Sequence, residues 1–356
     1  MEKIIKGADM KRIIILFAFF VLVFNSCREN TTETQLPEIP PDPSGSVPVV
    51  VRNNIVPSGK FYTVEQERRR LNLSGVVINN YGIDLYGTDD PGQNVWIEID
   101  GVNKGILVKR VSAQNRLKAD IVFCVDVSGS MNDAIIDSIA NTIAAFSDYI
   151  YRYGIDARFG GVGFVGDIRG VKLLTEDVAN FRNWIKAKRF IDTSTQVLFP
   201  QFGSSSLNEN PVSAIRYADS LFNWRYDAQK VFVVFTDVPV KPSSRDDWSV
   251  SWVRNNIRGK GIVHVVFAND TSKFTNLWST PNLSNQNPKE LATITGGTYR
   301  ILPDGFNLNL IYLPLVESLI YSHSIDFLTG TGKKKIKVIL SLSQNYDGKS
   351  EYDVEF

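Results

Sequence analysis

Residues 120–131 read Asp120-Ile-Val-Phe-Cys-Val-Asp126-Val-Ser128-Gly-Ser130-Met131, an unbroken apolar run followed by a turn in which acid and hydroxyl side chains alternate. An apolar run without polar alternation is what a strand covered on both faces requires. Beyond the turn, over 133–153, Ile135, Ile136, Ile139, Ala140, Ile143, Phe146 and Ile150 recur at helical spacing, which gives a long helix one apolar face. Strand, polar turn and amphipathic helix in that order predict an α/β unit. The turn then falls at the carboxyl edge of the sheet, where open α/β folds hold their ligands.

The same alternation continues outward. Apolar strands are predicted at 157–164, 171–174, 231–235, 262–267 and 298–301, and helices at 179–188, 211–222, 249–258, 288–295 and 307–321. Together they predict a Rossmann-like, doubly wound, mostly parallel sheet over 119–322. On either side the pattern changes to short strands, at 49–51, 73–78, 95–99 and 105–111 before it and at 324–328, 335–342 and 352–356 after it. Turn residues such as Asp89-Asp90-Pro91-Gly92 and Asp100-Gly101 separate them. A lone three-stranded meander at the C-terminus is marginal. Residues 46–118 and 323–356 are therefore expected to form one smaller antiparallel β-sandwich, with the α/β domain inserted between its halves.

At the N-terminus, Lys11 and Arg12 precede an apolar run at 13–24 that stops at Asn25-Ser26-Cys27, the pattern of a signal peptide over 1–27. At about 1.5 Å per residue the run is too short to cross roughly 30 Å of hydrocarbon. Met10 makes a more usual start than Met1. A small residue followed by cysteine resembles the lipobox of bacterial lipoproteins, and that resemblance implies a lipidated Cys27 as first mature residue, anchoring the protein in the cell envelope at the outer membrane. Phe24 and Asn25 depart from the commoner leucine and small residue, a looseness shared by Bacteroidetes lipoproteins. Residues 28–45, rich in threonine and proline, read as an extended tether. Cys124, the other cysteine, lies inside an apolar strand, so no disulfide is predicted.

Lysine and arginine number 39 against 38 acidic residues, which leaves no net basic field to gather nucleic acid. The run Arg68-Arg69-Arg70 reads as a solvated face. The two histidines, His264 and His323, read as structural, and no nucleophile elbow, phosphate loop or His-Cys cluster is present. The chain is accordingly expected not to be an enzyme; a hydrolase of some surface polymer lacks a second catalytic group. Trp248 and Trp252 read as core, with a binding rim as the alternative.

The motif Asp126-x-Ser128-x-Ser130, with its strand before and helix after, resembles the metal-ion-dependent adhesion site of von Willebrand factor type A domains and integrin I domains. The resemblance implies one Mg²⁺, with Mn²⁺ or Ca²⁺ as alternatives, on Asp126, Ser128 and Ser130, all hard oxygen donors. It also implies two further ligands. Asp237, ending the strand 231–235 and Thr236, matches the family's later acidic residue. Glu209, counted back from Ala214-Ile215, stands where threonine is usual and where integrin β subunits carry glutamate. Three carboxylates would hold a dication more tightly and leave it less electrophilic than two. Asp133 matches the first acid of an adjacent second site in integrin β subunits, but its neighbour is Ala134, so a single ion is expected. By the same resemblance the partner is a protein, engaging the ion through an acidic side chain. The alternative reading has Ser128 and Ser130 merely capping the helix and Asp126 accepting backbone hydrogen bonds, in a structural scaffold of an envelope complex with no functional metal.

Overall fold

The computed structural model describes residues 36–79, 81–110, 118–152, 155–192, 210–240, 248–268, 286–302 and 315–356. One compact unit spans Ile39–Phe356. At its middle, strand β8 (Lys118–Asp126) pairs in parallel with β9 (Asp156–Phe164) on one side and β11 (Gln229–Thr236) on the other. Strands β12 (Ile262–Phe267) and β13 (Tyr299–Ile301) extend the parallel order, and β10 (Ile168–Thr175) closes the opposite edge antiparallel. The sheet order is β10-β9-β8-β11-β12-β13. The fold class expected from the sequence is the one observed.

Among the described residues six helices accompany this sheet: α1 (Asp133–Arg152), α2 (Val178–Lys186), α3 (Pro211–Leu221), α4 (Val250–Asn256), α5 (Lys289–Thr293) and α6 (Leu315–Ile320). The period of two along β8 divides its side chains between two cores. Ile121, Phe123 and Val125 pack with Ile139, Ile143 and Phe146 of α1, and the Phe123 ring meets Phe146 edge-on and stacks on Phe181. Val122 and Cys124 face the other way, toward Val212 and Ile215 of α3 and Val253 of α4. Each fully buried side chain of this size contributes about 1.5–3 kcal/mol. The Cys124 thiol, buried among them, is pushed up in pKa by desolvation alone.

Close approach makes one glycine indispensable. A Cβ on Gly163 of β9 would lie 1.8 Å from the Phe190 carbonyl oxygen, in the one-turn 3-10 helix Arg189–Ile191. Because the obstruction is backbone, Gly163→Ala must displace that turn. The expected loss is about 1–3 kcal/mol, read as a lowered urea midpoint.

Strands outside the α/β sheet form two four-stranded antiparallel sheets. One has the order β1 (Gly59–Thr63), β2 (Arg68–Leu73), β14 (His323–Leu328), β7 (Ile106–Arg110). The other runs β16 (Tyr346–Glu355), β15 (Lys333–Ser343), β5 (Val95–Ile99), β6 (Val102–Asn103). A short hairpin, β3 (Val76–Ile78) with β4 (Tyr81–Ile83), accompanies them. Leu71, Leu73, Ile325 and Phe327 of the first sheet interdigitate with Ile97, Val338, Leu340 and Tyr352 of the second. Each sheet thus mixes strands from before and after the α/β sheet.

Several local expectations need correction. The valines at 49–51 form no strand: the segment 46–58 is irregular and Val49 and Val51 are largely exposed, because β-branched propensity without a pairing partner does not make a ladder. Residues 73–78 are not one strand either, since β2 ends at Leu73 and β3 starts at Val76. The stretch read as a tether lies against the sandwich from Ile39 onward. Asp42 accepts from the Gly105 N–H (2.9 Å) and pairs with Lys104, and Asn103 donates to the Gly45 carbonyl. Farther on, the Asp347 carboxylate accepts from the N–H groups of Val51, Arg52 and Asn53.

The three arginines are not a solvated face. Arg68 and Arg69 are buried in β2, and Arg68 and Arg70 both grip Asp326, which is 2% exposed on the neighbouring β14. Arg68 donates from Nε and Nη2 to Oδ2 at 2.9 and 2.6 Å, and Arg70 from Nη2 at 2.8 Å. Burial alone would raise the Asp326 carboxyl, but the hydrogen bonds from Arg70 and Arg68 hold it below its ordinary range.

Candidate metal centre

Asp126 is the last residue of β8, and the ladder that pairs Val125 with Phe235 brings it beside Thr236 at the end of β11. Its side chain is fully buried. Oδ2 accepts from the Thr236 hydroxyl at 2.9 Å, and Oδ1 from the Ser128 N–H at 3.0 Å. The chain then turns through Ser128-Gly129-Ser130, anchored by the Val127 N–H on Phe164 O and the Met131 N–H on Ser128 O. This turn brings the Ser128 and Ser130 hydroxyls to 3.0 Å from each other.

Neither serine caps α1. That role belongs to Asn132, whose Oδ1 accepts from the Ile135 N–H. The Ser128 hydroxyl faces that of Ser130 and also bonds the Asp126 carboxylate, which in turn accepts a backbone N–H as the alternative reading has it. Asp237 follows Thr236 directly and is 9% exposed.

Electrostatics at this point are one-sided. Desolvation pushes the Asp126 carboxyl up to about 7; the hydrogen bonds from Ser128 and Thr236 pull it down, while the charge of Asp237 raises it further. Two buried carboxylates and two hydroxyls, all oxygen donors, form a set suited to a hard divalent cation. Among the described residues no three acidic, histidine or cysteine side chains converge. Glu209, the third expected carboxylate, lies outside the described residues, as does Cys27.

Sequence reasoning overlooked two contributors. Thr236 fixes the Asp126 rotamer, and the one signal for it was its place directly before Asp237. Asn210, buried before Pro211, caps α3 by accepting from the Val212 N–H and donates to the Trp248 carbonyl at 2.9 Å. An Asn-Pro pair opening an apolar-periodic segment was a readable helix start. Trp248 and Trp252 turn their rings onto Arg216, at 4.8 and 5.6 Å to the ring centroids, in place of forming an open rim.

The histidines are structural, as expected. His264 Nδ1 accepts from the Thr298 N–H, and burial pushes the ring down to about 3. His323 Nε2 accepts from the Leu85 N–H, and burial again dominates, holding it at about 4.

Comparison with known proteins follows this geometry. The chain is similar in fold to the conserved hypothetical protein BatB from Bacteroides thetaiotaomicron, at 15% identity and TM-score 0.40, covering 56% of this chain and 98% of that one. An aerotolerance-related membrane protein from Bacteroides fragilis matches at 16% identity and TM-score 0.40, with the same coverages of 56% and 98%. A von Willebrand factor type A structure from Catenulispora acidiphila matches at 11% identity and TM-score 0.41, covering 86% of this chain and 74% of that one. Among curated proteins, none matches the chain. The family model of the von Willebrand factor type A domain matches residues 120–301, which take in the whole turn from Asp126 to Ser130 and the strand β11 that Asp237 follows. The chain belongs to the von Willebrand factor type A domain family.

Proposed function

We propose that the protein is a non-enzymatic, metal-dependent protein-binding module of the bacterial cell envelope, held to the membrane by a lipid on Cys27. The observation that carries this reading is the buried Asp126 carboxylate, raised in proton affinity, beside Asp237 and the facing Ser128 and Ser130 hydroxyls. These residues, with Glu209, would hold one Mg²⁺ or a similar ion. When bound, the ion supplies an electrophilic position for an acidic side chain of a protein partner. The chain's own part is to orient the oxygens: Thr236 and the Ser128 N–H fix Asp126, and the Asn132 cap sets where α1 starts. The Asn210 bond to the Trp248 carbonyl ties the start of α3 to the segment entering α4.

Calorimetric titration with Mg²⁺ and Mn²⁺ tests this on residues 39–356. The fragment starts at Ile39 because Asp42 is part of the fold. One ion is expected to bind wild type and none to bind Asp126→Ala. Partner capture that chelator abolishes supports adhesion; partner capture indifferent to chelator and to Asp126→Ala overturns it in favour of a metal-free scaffold.

A further inference from the structure

The outer edge of β16 is half covered and half open. Phe356 and Gly332 exchange both backbone hydrogen bonds across the β15–β16 ladder, at 3.2 and 3.0 Å, so the even-numbered residues of β16 point their backbone groups at β15 and the odd-numbered ones point theirs outward. Outward groups at the start of the strand are taken. The N–H groups of Asn54 and Ile55 donate to the Asp347 carbonyl, the Asp347 N–H donates to Asn54, and the Lys349 N–H donates to Asn53. From Glu351 onward the cover ends. Among the described residues, the outward N–H and C=O groups of Glu351, Asp353 and Glu355 have no partner.

We propose that this open half-edge receives an extended strand from a partner protein, one with basic residues at alternate positions and apolar residues between them. Three unpaired N–H and C=O pairs in register are a template for such an addition. The side chains of Glu351, Asp353 and Glu355 form an exposed acidic row beside it, between Lys337, Lys335 and Lys333, which face them from β15, and the open edge, with Glu351 also paired to Lys349. That row repels a second copy of β16 and favours lysine or arginine directly opposite. Alongside lies a groove of about 720 Å³, walled by Phe61 and Trp224 and flanked by Lys60, Arg254 and Arg258. Arg254 makes no ion pair among the described residues, and the Arg258 Nε is buried without a hydrogen-bond partner among them. These cations keep basic side chains out of the groove and leave its aromatic wall to apolar ones, which fixes the register of an incoming strand. The groove sits by Lys230 near the amino end of β11, whereas the metal loops leave the carboxyl ends, so the two surfaces serve separate partners.

The test uses the full chain and short fluorescent peptides. One alternates lysine and valine, one alternates glutamate and valine, and one carries the lysines and valines of the first in two blocks. Only the first is expected to bind, and it should slow hydrogen exchange at the amides of Glu351, Asp353 and Glu355 about tenfold or more while leaving Lys349 unchanged. Asp353→Pro removes an outward donor without touching the ladder to β15, and is expected to weaken binding about tenfold. A triple change, Glu351→Lys, Asp353→Lys and Glu355→Lys, should transfer the preference to the glutamate peptide. Equal binding of the blocked peptide, or binding that leaves those three amides unprotected, overturns the proposal. So does protection of the same amides by dimerisation of the chain alone.

Discussion

Asp326→Ala is expected to destabilise the protein by about 3–5 kcal/mol, because it removes the carboxylate that both Arg68 and Arg70 grip in a buried site. The loss is not merely that of a surface ion pair, worth at most about 1 kcal/mol. The carboxylate is 2% exposed and accepts from three different guanidinium nitrogens at full hydrogen-bond length. Urea unfolding monitored at equilibrium checks the magnitude. Asp326→Asn keeps the shape and loses the charge, so a cost close to that of alanine assigns the effect to charge. A variant that makes Arg68, Arg70 and Asp326 apolar together is expected to recover much of the loss. The pH sign follows from the depressed carboxyl: its contribution is fully present above the ordinary carboxylate range and fades as pH falls through the lowered value.

In the presence of chelator, Asp126→Asn is expected to melt above wild type, and on adding Mg²⁺ it should gain nothing. Burial raises this carboxyl from 3.8 to about 7. A raised acid destabilises the folded state as pH climbs from its ordinary value through the raised one, so at neutral pH the metal-free protein bears the cost. At about 1.4 kcal/mol per unit the ceiling is about 4 kcal/mol. Asparagine still buries a polar group, so a gain of about 1–2 kcal/mol is expected. It keeps the acceptor for the Ser128 N–H, and its amide can donate to Thr236, whose hydroxyl has the Val238 carbonyl as an alternative acceptor at 3.4 Å. Wild type at an ion concentration one hundred times Kd should gain about 2.7 kcal/mol. Thermal unfolding in four conditions, each protein with chelator and with Mg²⁺, separates the two effects. A metal-dependent rise in Asp126→Asn equal to that of wild type would remove Asp126 from the site.

The α/β sheet was legible because its signals are local. Residues 121–125 are buried on both faces, and the period of Ile136, Ile139, Ile143 and Phe146 admits one secondary structure. The ends of α1, β9, β11 and β12 fall within two residues of the expected ones, whereas β8 starts at Lys118 and β10 at Ile168, each three residues before the apolar run. What escaped depends on residues far apart in the chain. Nothing near Arg68 announces Asp326, which reaches it only once β2 and β14 are paired. Val49, Val50 and Val51 have strand propensity, but the Asp347 carboxylate takes the N–H groups that follow and no ladder forms. At the candidate metal centre the Asp-x-Ser-x-Ser turn was readable because its three oxygen-bearing side chains fall within five residues. Thr236 acts through a neighbour on another strand, and so required the register of β8 against β11.

The lacing of residues 39–55 along the sandwich also decides how tension travels. A chain held at its N-terminus and pulled by a partner at the Asp126 turn receives its load first at Asp42 and Asp347, and then in the sheet that holds β7 and β14. The α/β domain leaves β7 and returns at β14, and these two strands are hydrogen-bonded neighbours. Both connections leave from the same end of this antiparallel ladder, where His323 faces Arg110, so tension on the α/β domain reaches the two strands together. If the proposed anchor and the proposed site at Asp126 are both real, the sandwich lies between them and tension from one to the other would pass through its strands.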